Sequence, residues 1–431
     1  MTGKSLAVVN GRVLRAGASE PEDVELVVEE GVVTRLAESV REDAVDETIS
    51  ADGALVLPGA VDVHVHFREP GATHKEDWRT GSQSAAAGGV TTVVDQPNTE
   101  PPTVDGAAFD EKRALAEKSL VDHGVNAGVT EDWKPDELSE RPVAAYGEVF
   151  MADSTGEMGI DASLFERAVR RLGGRGELVT VHAEDSDDFV EVNLDTEDAD
   201  VWSRHRPPEA EVAAVERAVD VADEPVHFAH VSHPRSVDII DETPHTCEVT
   251  PHHLLLSRDD LPELGTHGKM NPPLRTENAR ERLFEKVVDG TVDCVATDHA
   301  PHTVEEKDAP VRDAPSGVPG VETLYPLLLA LVQNDELSLG HAVELVAAAP
   351  ARIFGFDNKG AVAEGRDADL VFVDEAVEEV RAERLHSKCG WTPYEGFDAV
   401  FPHKVLRRGE VVYERTDDGE RFAEGGGRLL E

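Results

Sequence analysis

The chain has 431 residues, of which 88 are acidic and 41 basic, for a formal net charge of −47. Nucleic acid and anionic membrane surfaces are polyanions that such a chain would repel, so both are excluded as partners. Only 11 of the cations are lysines, and this acid-rich, lysine-poor balance points to a halophilic cytoplasm whose salt screens the self-repulsion. In chain order, residues 1–56 alternate short apolar runs with turns such as Asn10-Gly11, the pattern of small antiparallel strands. From residue 57 to 356 one theme repeats: an apolar, β-branched run ends in polar residues and a helical pattern follows. The runs are GAVDVHVHF, TTVVDQPN, AAYGEVF, LVTVHAED, VHFAHVS, TCEVTPHH and DCVATDHAPH, with helical patterns at 164–172, 211–222 and 278–290 among them. The end of the chain, at 360–374 and 404–415, returns to short strands and turns.

Alternating strand and helix predicts an α/β fold with a parallel sheet. A (β/α)8 TIM-like barrel over 57–356 fits best, because the polar residues sit at the carboxyl ends of many different strands. A doubly wound open sheet would call for GxGxxG after the first strand, and there is none. The terminal pieces, 1–56 and 357–431, are each too short to bury much core alone and are expected to pair into one composite small β domain. Cys247, Cys294 and Cys389 are odd in number and form no CxxC pair, which suits a reducing compartment. The start, MTGKSLAVVNGRVL, has no sustained apolar core, so the expected location is cytoplasmic.

His64 and His66 flank Val65 on a predicted strand, so both imidazoles point to the same face and can converge on one ion. His182, His230 and Asp298 end later runs in the same way. Nine of the 18 histidines lie in or just after these strand-end segments, which scattered surface residues would not do. Imidazole with carboxylate and no nearby thiolate suits Zn²⁺, Mn²⁺, Fe²⁺ or Co²⁺. His227 is expected to pack within its strand, and at least one of His252 and His253 to pack or hold a neighbour by a hydrogen bond.

Eight segments carry a combined pattern: PGAVDVHVHFREPG (58–71), QPNT (96–99), VHAED (181–185), RPPEAE (206–211), AHVS (229–232), VTPHH (249–253), KMNPPLR (269–275) and TDHAPH (297–302). Over residues 51–355 the chain resembles the cyclic amidohydrolases of the amidohydrolase superfamily, and among them the dihydroorotases. The FREPG continuation separates these from allantoinases and hydantoinases, the alternative enzymes. A non-catalytic homologue serving aspartate carbamoyltransferase is the alternative of another class. The resemblance implies metal ligands His64, His66, His182, His230 and Asp298, with one or two divalent ions, zinc first. It also implies that Asp298 moves a proton as general acid and base. Arg68 would pair with a substrate carboxylate, and Asn98, Asn271 and His302 would complete that pocket. The implied substrate pair is N-carbamoyl-L-aspartate and dihydroorotate, in pyrimidine synthesis. A homo-oligomer and association with aspartate carbamoyltransferase are the implied protein partners.

One position departs from the pattern. Many relatives carry a lysine whose carboxylated side chain bridges two metals; here Glu148, 34 residues before His182, stands in its place. Its carboxylate could replace the carbamate, but the side chain is shorter by roughly 3–4 Å, so bridging would require the backbone to move inward. Asp153 is the alternative bridge, and a mononuclear site the third possibility. Residues 303–317, TVEEKDAPVRDAPSG, read either as a mobile loop over the mouth or as an ordinary connection. The helix after them, VETLYPLLLALVQN, is apolar on most sides and is expected in the core or at a subunit interface.

Overall fold

Eight parallel strands carry the middle of the chain: Ala60–Val65 (β1), Val90–Asp95 (β2), Asp122–Val125 (β3), Tyr146–Phe150 (β4), Val179–His182 (β5), His227–Phe228 (β6), Thr246–Val249 (β7) and Cys294–Val295 (β8). They belong to a computed structural model that describes residues 5–152 and 158–430. Strands β1 to β3 pair as one arc and β4 to β8 as another. Parallel bridges between Ala127 and Tyr146 and between Val65 and His299 join the arcs at both seams, closing the barrel. Helices fall between the strands, among them Trp78–Ala87, Gly106–Ala116, Ala162–Gly173, Pro208–Val221 and Glu277–Val288. The fold is thus the expected (β/α)8 barrel.

The reason lies in the residue pattern. Every residue of β1 and β2 is buried, as strands covered by helices outside and by packed side chains inside must be. Helix Ala162–Gly173 starts where the Asp161 side chain accepts the Leu164 amide, and it buries Phe165, Ala168, Val169 and Leu172. That spacing is one helical face, and burying each large side chain contributes about 1.5–3 kcal/mol. Helix Leu324–Gln333 buries Leu324 through Ala330 and belongs to the core.

Both chain ends enter one seven-stranded sheet, in which Leu55–Pro58 pairs antiparallel with Leu370–Val373. A four-stranded sheet beside it, built from Ser5–Val9, Glu25–Glu29, Val32–Ala37 and Glu47–Ser50, is N-terminal throughout. The C-terminal piece does more than complete a β domain. Val380, Cys389, Trp391 and Tyr394 pack with Leu261, Met270 and Leu274 of the barrel. The Lys359 ammonium joins Asp122 of β3, at 2.5 Å, to Asp369 of the sheet, at 2.8 Å. Among the described residues no helix is long and apolar enough to cross a membrane.

Lys359 is neutralised where it is buried, and the chain as a whole carries a large excess of acidic residues. Raising KCl from dilute buffer toward molar concentration is expected to raise melting temperature and initial rate together, because salt screens that repulsion. Full stability and activity in dilute buffer would contradict the halophilic reading.

Candidate metal centre

The carboxyl ends of the strands bring the predicted ligands together. His64 and His66 lie 5.4 Å apart between ring centroids, and His64 and His230 lie 5.3 Å apart. Asp298 Oδ1 sits 2.9 Å from His66 Nε2 and 3.6 Å from His64 Nε2. His182 and His230 meet edge to face at 4.6 Å. All five side chains are buried.

Glu148 lies between the two groups. Its Oε2 is 3.2 Å from His64 Nε2 and 3.8 Å from His66 Nε2, while its Oε1 is 2.6 Å from His230 Nε2 and 3.3 Å from His182 Nδ1. The backbone is irregular at this point: the register of β4 on β5 slips between Tyr146 and Val149, next to Glu148. Gln96 Oε1 accepts the Glu148 amide at 3.1 Å and so fixes the shifted backbone. Gly147, at φ +149°, makes the passage possible, since a Cβ there would stand 2.1 Å from Thr180 Oγ1. Asp153, the alternative bridge, lies outside the described residues.

Three ligand atoms within 4.8 Å of one another occur twice here, as His64, His66 and Asp298 and as His64, Glu148 and His230. Outward hydrogen bonds set the tautomers that metal binding needs. His64 Nδ1 donates to Glu248 at 2.5 Å, His66 Nδ1 to Asn98 Oδ1 at 2.7 Å, and His182 Nε2 to Glu184 at 2.9 Å. With the outward nitrogen holding a proton in this way, the inward nitrogen is the one that would turn to a metal once its own proton is lost. His64 Nε2 makes no hydrogen bond among the described residues although Glu148 is close by, the arrangement expected where both face a cation. The donor set fits a divalent metal.

The electrostatics of the cluster point the same way. Burial alone would raise the Glu148 carboxyl, but His64 and His230 hold it well below its ordinary range. Burial disfavours the His182 cation, yet Glu148 and Glu184 raise it to about 9. The carboxylates thus favour positive charge at the centre of the cluster, which a divalent cation would satisfy. Backbone strain also concentrates here. Arg68, His230 and Asp298 have φ of +61°, +36° and +47°, conformations that cost a non-glycine residue on the order of 1–3 kcal/mol each. Asp62, pushed up to about 6 chiefly by burial, accepts the Thr297 amide at 3.1 Å and the His64 amide at 3.2 Å. It therefore ties the strand of His64 to the turn that carries Asp298.

A small cavity opens over the cluster, lined by His66, Glu148, His182, His230 and Asp298 together with Arg68, Asn98, Asn271, Ser316 and Gly317. Arg68 is 6% exposed. Its Nε donates to Pro301 O at 3.2 Å, and among the described residues no carboxylate lies within ion-pair distance of it. His302 backs this wall: its Nδ1 accepts Lys75 Nζ at 3.1 Å, its Nε2 donates to Ser316 O at 3.0 Å, and Arg68 Nη2 lies 3.1 Å away. Trp202 Nε1 donates to Asn271 Oδ1 at 2.9 Å.

Residues 55–412 match the amidohydrolase family. The dihydroorotase of Halobacterium salinarum is 57% identical over 364 residues, covering 83% of this chain and 86% of that protein. The dihydroorotase of Methanosarcina mazei is 44% identical and covers 98% of each chain. The chain belongs to the amidohydrolase family, among its dihydroorotases. Like its family it is a metal-dependent cyclic amidohydrolase. Among solved structures, the L-hydantoinase (dihydropyrimidinase) of Arthrobacter aurescens superposes with a TM-score of 0.89 over 100% of this chain and 98% of that one, at 27% identity. The architecture is thus shared with hydantoinases, whereas sequence likeness favours the dihydroorotases over that alternative.

Membership explains why the motifs occur together, and the contacts show how they interlock. Arg206 of RPPEAE grips Glu184 of VHAED at 2.6 Å, and Glu211 accepts the Ser232 and His233 amides of AHVS, each at 3.0–3.1 Å. His253 is held by Thr250 Oγ1 at 2.8 Å and Pro272 O at 2.9 Å. His227 donates to Glu248 at 3.1 Å, and so supports the residue that orients His64. Glu184, Glu248 and Gln96 were not singled out in the sequence reading. Their signal is a charge or amide inside an apolar run, which must find a partner when buried. Glu248→Gln is expected to weaken divalent-metal affinity roughly 10–100-fold by loosening His64, measured by competition with a chromophoric chelator; unchanged affinity would reduce Glu248 to packing.

Proposed function

We propose that the protein interconverts N-carbamoyl-L-aspartate and dihydroorotate in the cytoplasm, using zinc held at two positions joined by Glu148. The observation that carries this reading is Arg68, a buried guanidinium with no carboxylate partner among the described residues, facing the cavity beside the histidine cluster. A buried, unpaired cation is costly unless an anion arrives, and the α-carboxylate of either substrate supplies one through a bidentate pair. Neutral hydantoins and dihydropyrimidines have no such group.

His64, His66 and Asp298 would hold one ion and His182 and His230 the other, with a Glu148 oxygen toward each. A divalent metal there supplies Lewis acidity toward the amide carbonyl and lowers the pKa of water. Arg68 fixes the carboxylate, and the amides of Asn98 and Asn271 line the rest of the cavity, so the ring has one orientation. Asp298 takes a proton from the attacking water and delivers it to the ring nitrogen as the C–N bond breaks. Ring closure runs the same path backwards from the protonated carboxyl group: Asp298 removes the ureido proton as the C–N bond forms and passes it to the departing hydroxyl, which leaves as water as the C–O bond breaks.

Zinc-loaded protein should be assayed on dihydroorotate, allantoin and dihydrouracil side by side. Dihydroorotate is expected to be the preferred substrate, and Arg68→Ala to lower its kcat/KM roughly 10²–10³-fold, as when one partner of a buried pair is removed. Faster turnover of allantoin or dihydrouracil, or an Arg68→Ala enzyme of wild-type efficiency, would overturn the reading.

A further inference from the structure

Two of the chain's 11 lysines occupy positions that neither the fold nor the reaction above explains. Lys307 is fully buried, and its ammonium donates to Lys269 O at 2.9 Å, Pro315 O at 3.0 Å and Gly317 O at 3.0 Å. Lys269, 5% exposed, donates to Val311 O and Ala314 O, each at 2.6 Å, with its ammonium 4.0 Å from the centre of the Trp202 ring. These hydrogen bonds all go to backbone carbonyls, and among the described residues neither ammonium forms an ion pair with a carboxylate. In a chain with more than two acids per base that is unexpected, since a burial that served only to fill space would take an apolar side chain.

The carbonyls belong to the segment that walls the cavity. Gly317 and Ser316 line it. Ser316 O receives His302, while Ser316 Oγ donates to Asn271 Oδ1 at 3.3 Å. The two ammoniums therefore clamp residues 311–317 from behind. Burial, with Lys269 and Arg68 nearby, pushes the Lys307 ammonium well below its ordinary range, while Lys269 is pushed down to about 8; Lys307 thus contributes its hydrogen bonds and Lys269 the positive charge. Segment 303–317 begins with the helical turn Val304–Lys307, capped by Thr303. It is held along its length, so it is a built wall of the site.

We propose that Lys307 and Lys269 are positioning and specificity-determining residues for the anionic part of the substrate, the two side chains holding segment 311–317 against the cavity and Lys269 adding positive charge that no carboxylate pairs with among the described residues. The inference rests on the dihydroorotase reading for its substrate. Charge acting through the low-dielectric wall discriminates by ligand charge. N-carbamoyl-L-aspartate carries two carboxylates and dihydroorotate one, so the lysines favour the open-chain form more.

The test uses the full zinc-loaded chain at fixed KCl, with Lys307→Met and Lys269→Met. In a variant whose melting transition persists, KM for N-carbamoyl-L-aspartate is expected to rise roughly tenfold and KM for dihydroorotate less, with kcat largely kept. Amide hydrogen exchange within 311–317 should accelerate while the barrel strands keep their protection. Lys269→Met carries the test if Lys307→Met does not fold. Unchanged exchange, unchanged KM, or equal KM increases for the two substrates in a folded variant would overturn the proposal. Failure of the underlying reading is distinguishable, because the wild-type protein itself would then not turn over dihydroorotate.

Discussion

Asp298→Asn is expected to lower turnover of dihydroorotate by roughly 10³-fold or more while part of the bound metal is kept. The amide has nearly the same shape, and the turn beneath it stays held by Thr297 and Asp62. Its oxygen can still face the His66 side, 2.9 Å away in the native arrangement. What it loses is the ability to take a proton. Burial alone would raise the Asp298 carboxyl, but the hydrogen bond from His66 and the charge of His64 keep it below its ordinary value. Asp298 thus starts as a carboxylate, ready to accept. Steady-state rates with metal analysis on the same sample check this. A variant with near-normal turnover would remove Asp298 from the mechanism, and one with no metal would make it a ligand above all.

The second large effect is expected at Glu148. Glu148→Gln keeps volume and removes the carboxylate whose two oxygens face the inward nitrogens of His64 on one side and of His182 and His230 on the other. Four imidazoles would then face a neutral amide, and the attraction for a second divalent cation would fall. Metal content after gel filtration is expected to drop by about one ion per chain, with turnover reduced on the order of 10²–10³-fold. Retention of both metal and activity would mean that Glu148 only fills the space between the histidines. The variant also probes the departure from the family's lysine. A carboxylate carried directly on the chain needs no CO₂, provided the β4 bulge brings it far enough inward.

How much of this was legible beforehand follows from the physics of each element. His64 and His66 were readable because strand side chains alternate, and His182, His230 and Asp298 because each stands where an apolar run stops. The barrel was readable for the same reason, as its buried strands are apolar on both faces. Glu248 was not readable, since nothing in TCEVTP tells whether a buried carboxylate faces a ligand or a structural cation. The bulge at Gly147 depends on how closely β4 must pass Thr180, which is a tertiary distance. The attachment of residues 380–394 to the barrel carries no periodicity, so it emerged only from packing. The hydrogen bonds that hold His302 between Lys75, Arg68 and Ser316 were not legible, because loop geometry after TDHAPH decides which way a side chain turns. The charge of −47 argued against polyanionic partners, but it gave no sign that Arg68 would line the cavity with Lys75, Lys269 and Lys307 bonded to the residues around it.

The central claim is that a carboxylate from the chain itself joins two metals in a dihydroorotase site. An anomalous-scattering map of zinc-loaded crystals, recorded on both sides of the metal edge, tests it most directly. Two peaks are predicted, one among His64, His66 and Asp298 and one beside His182 and His230, with a Glu148 oxygen toward each. A single peak, or two peaks with Glu148 turned away and another group between them, would contradict the account.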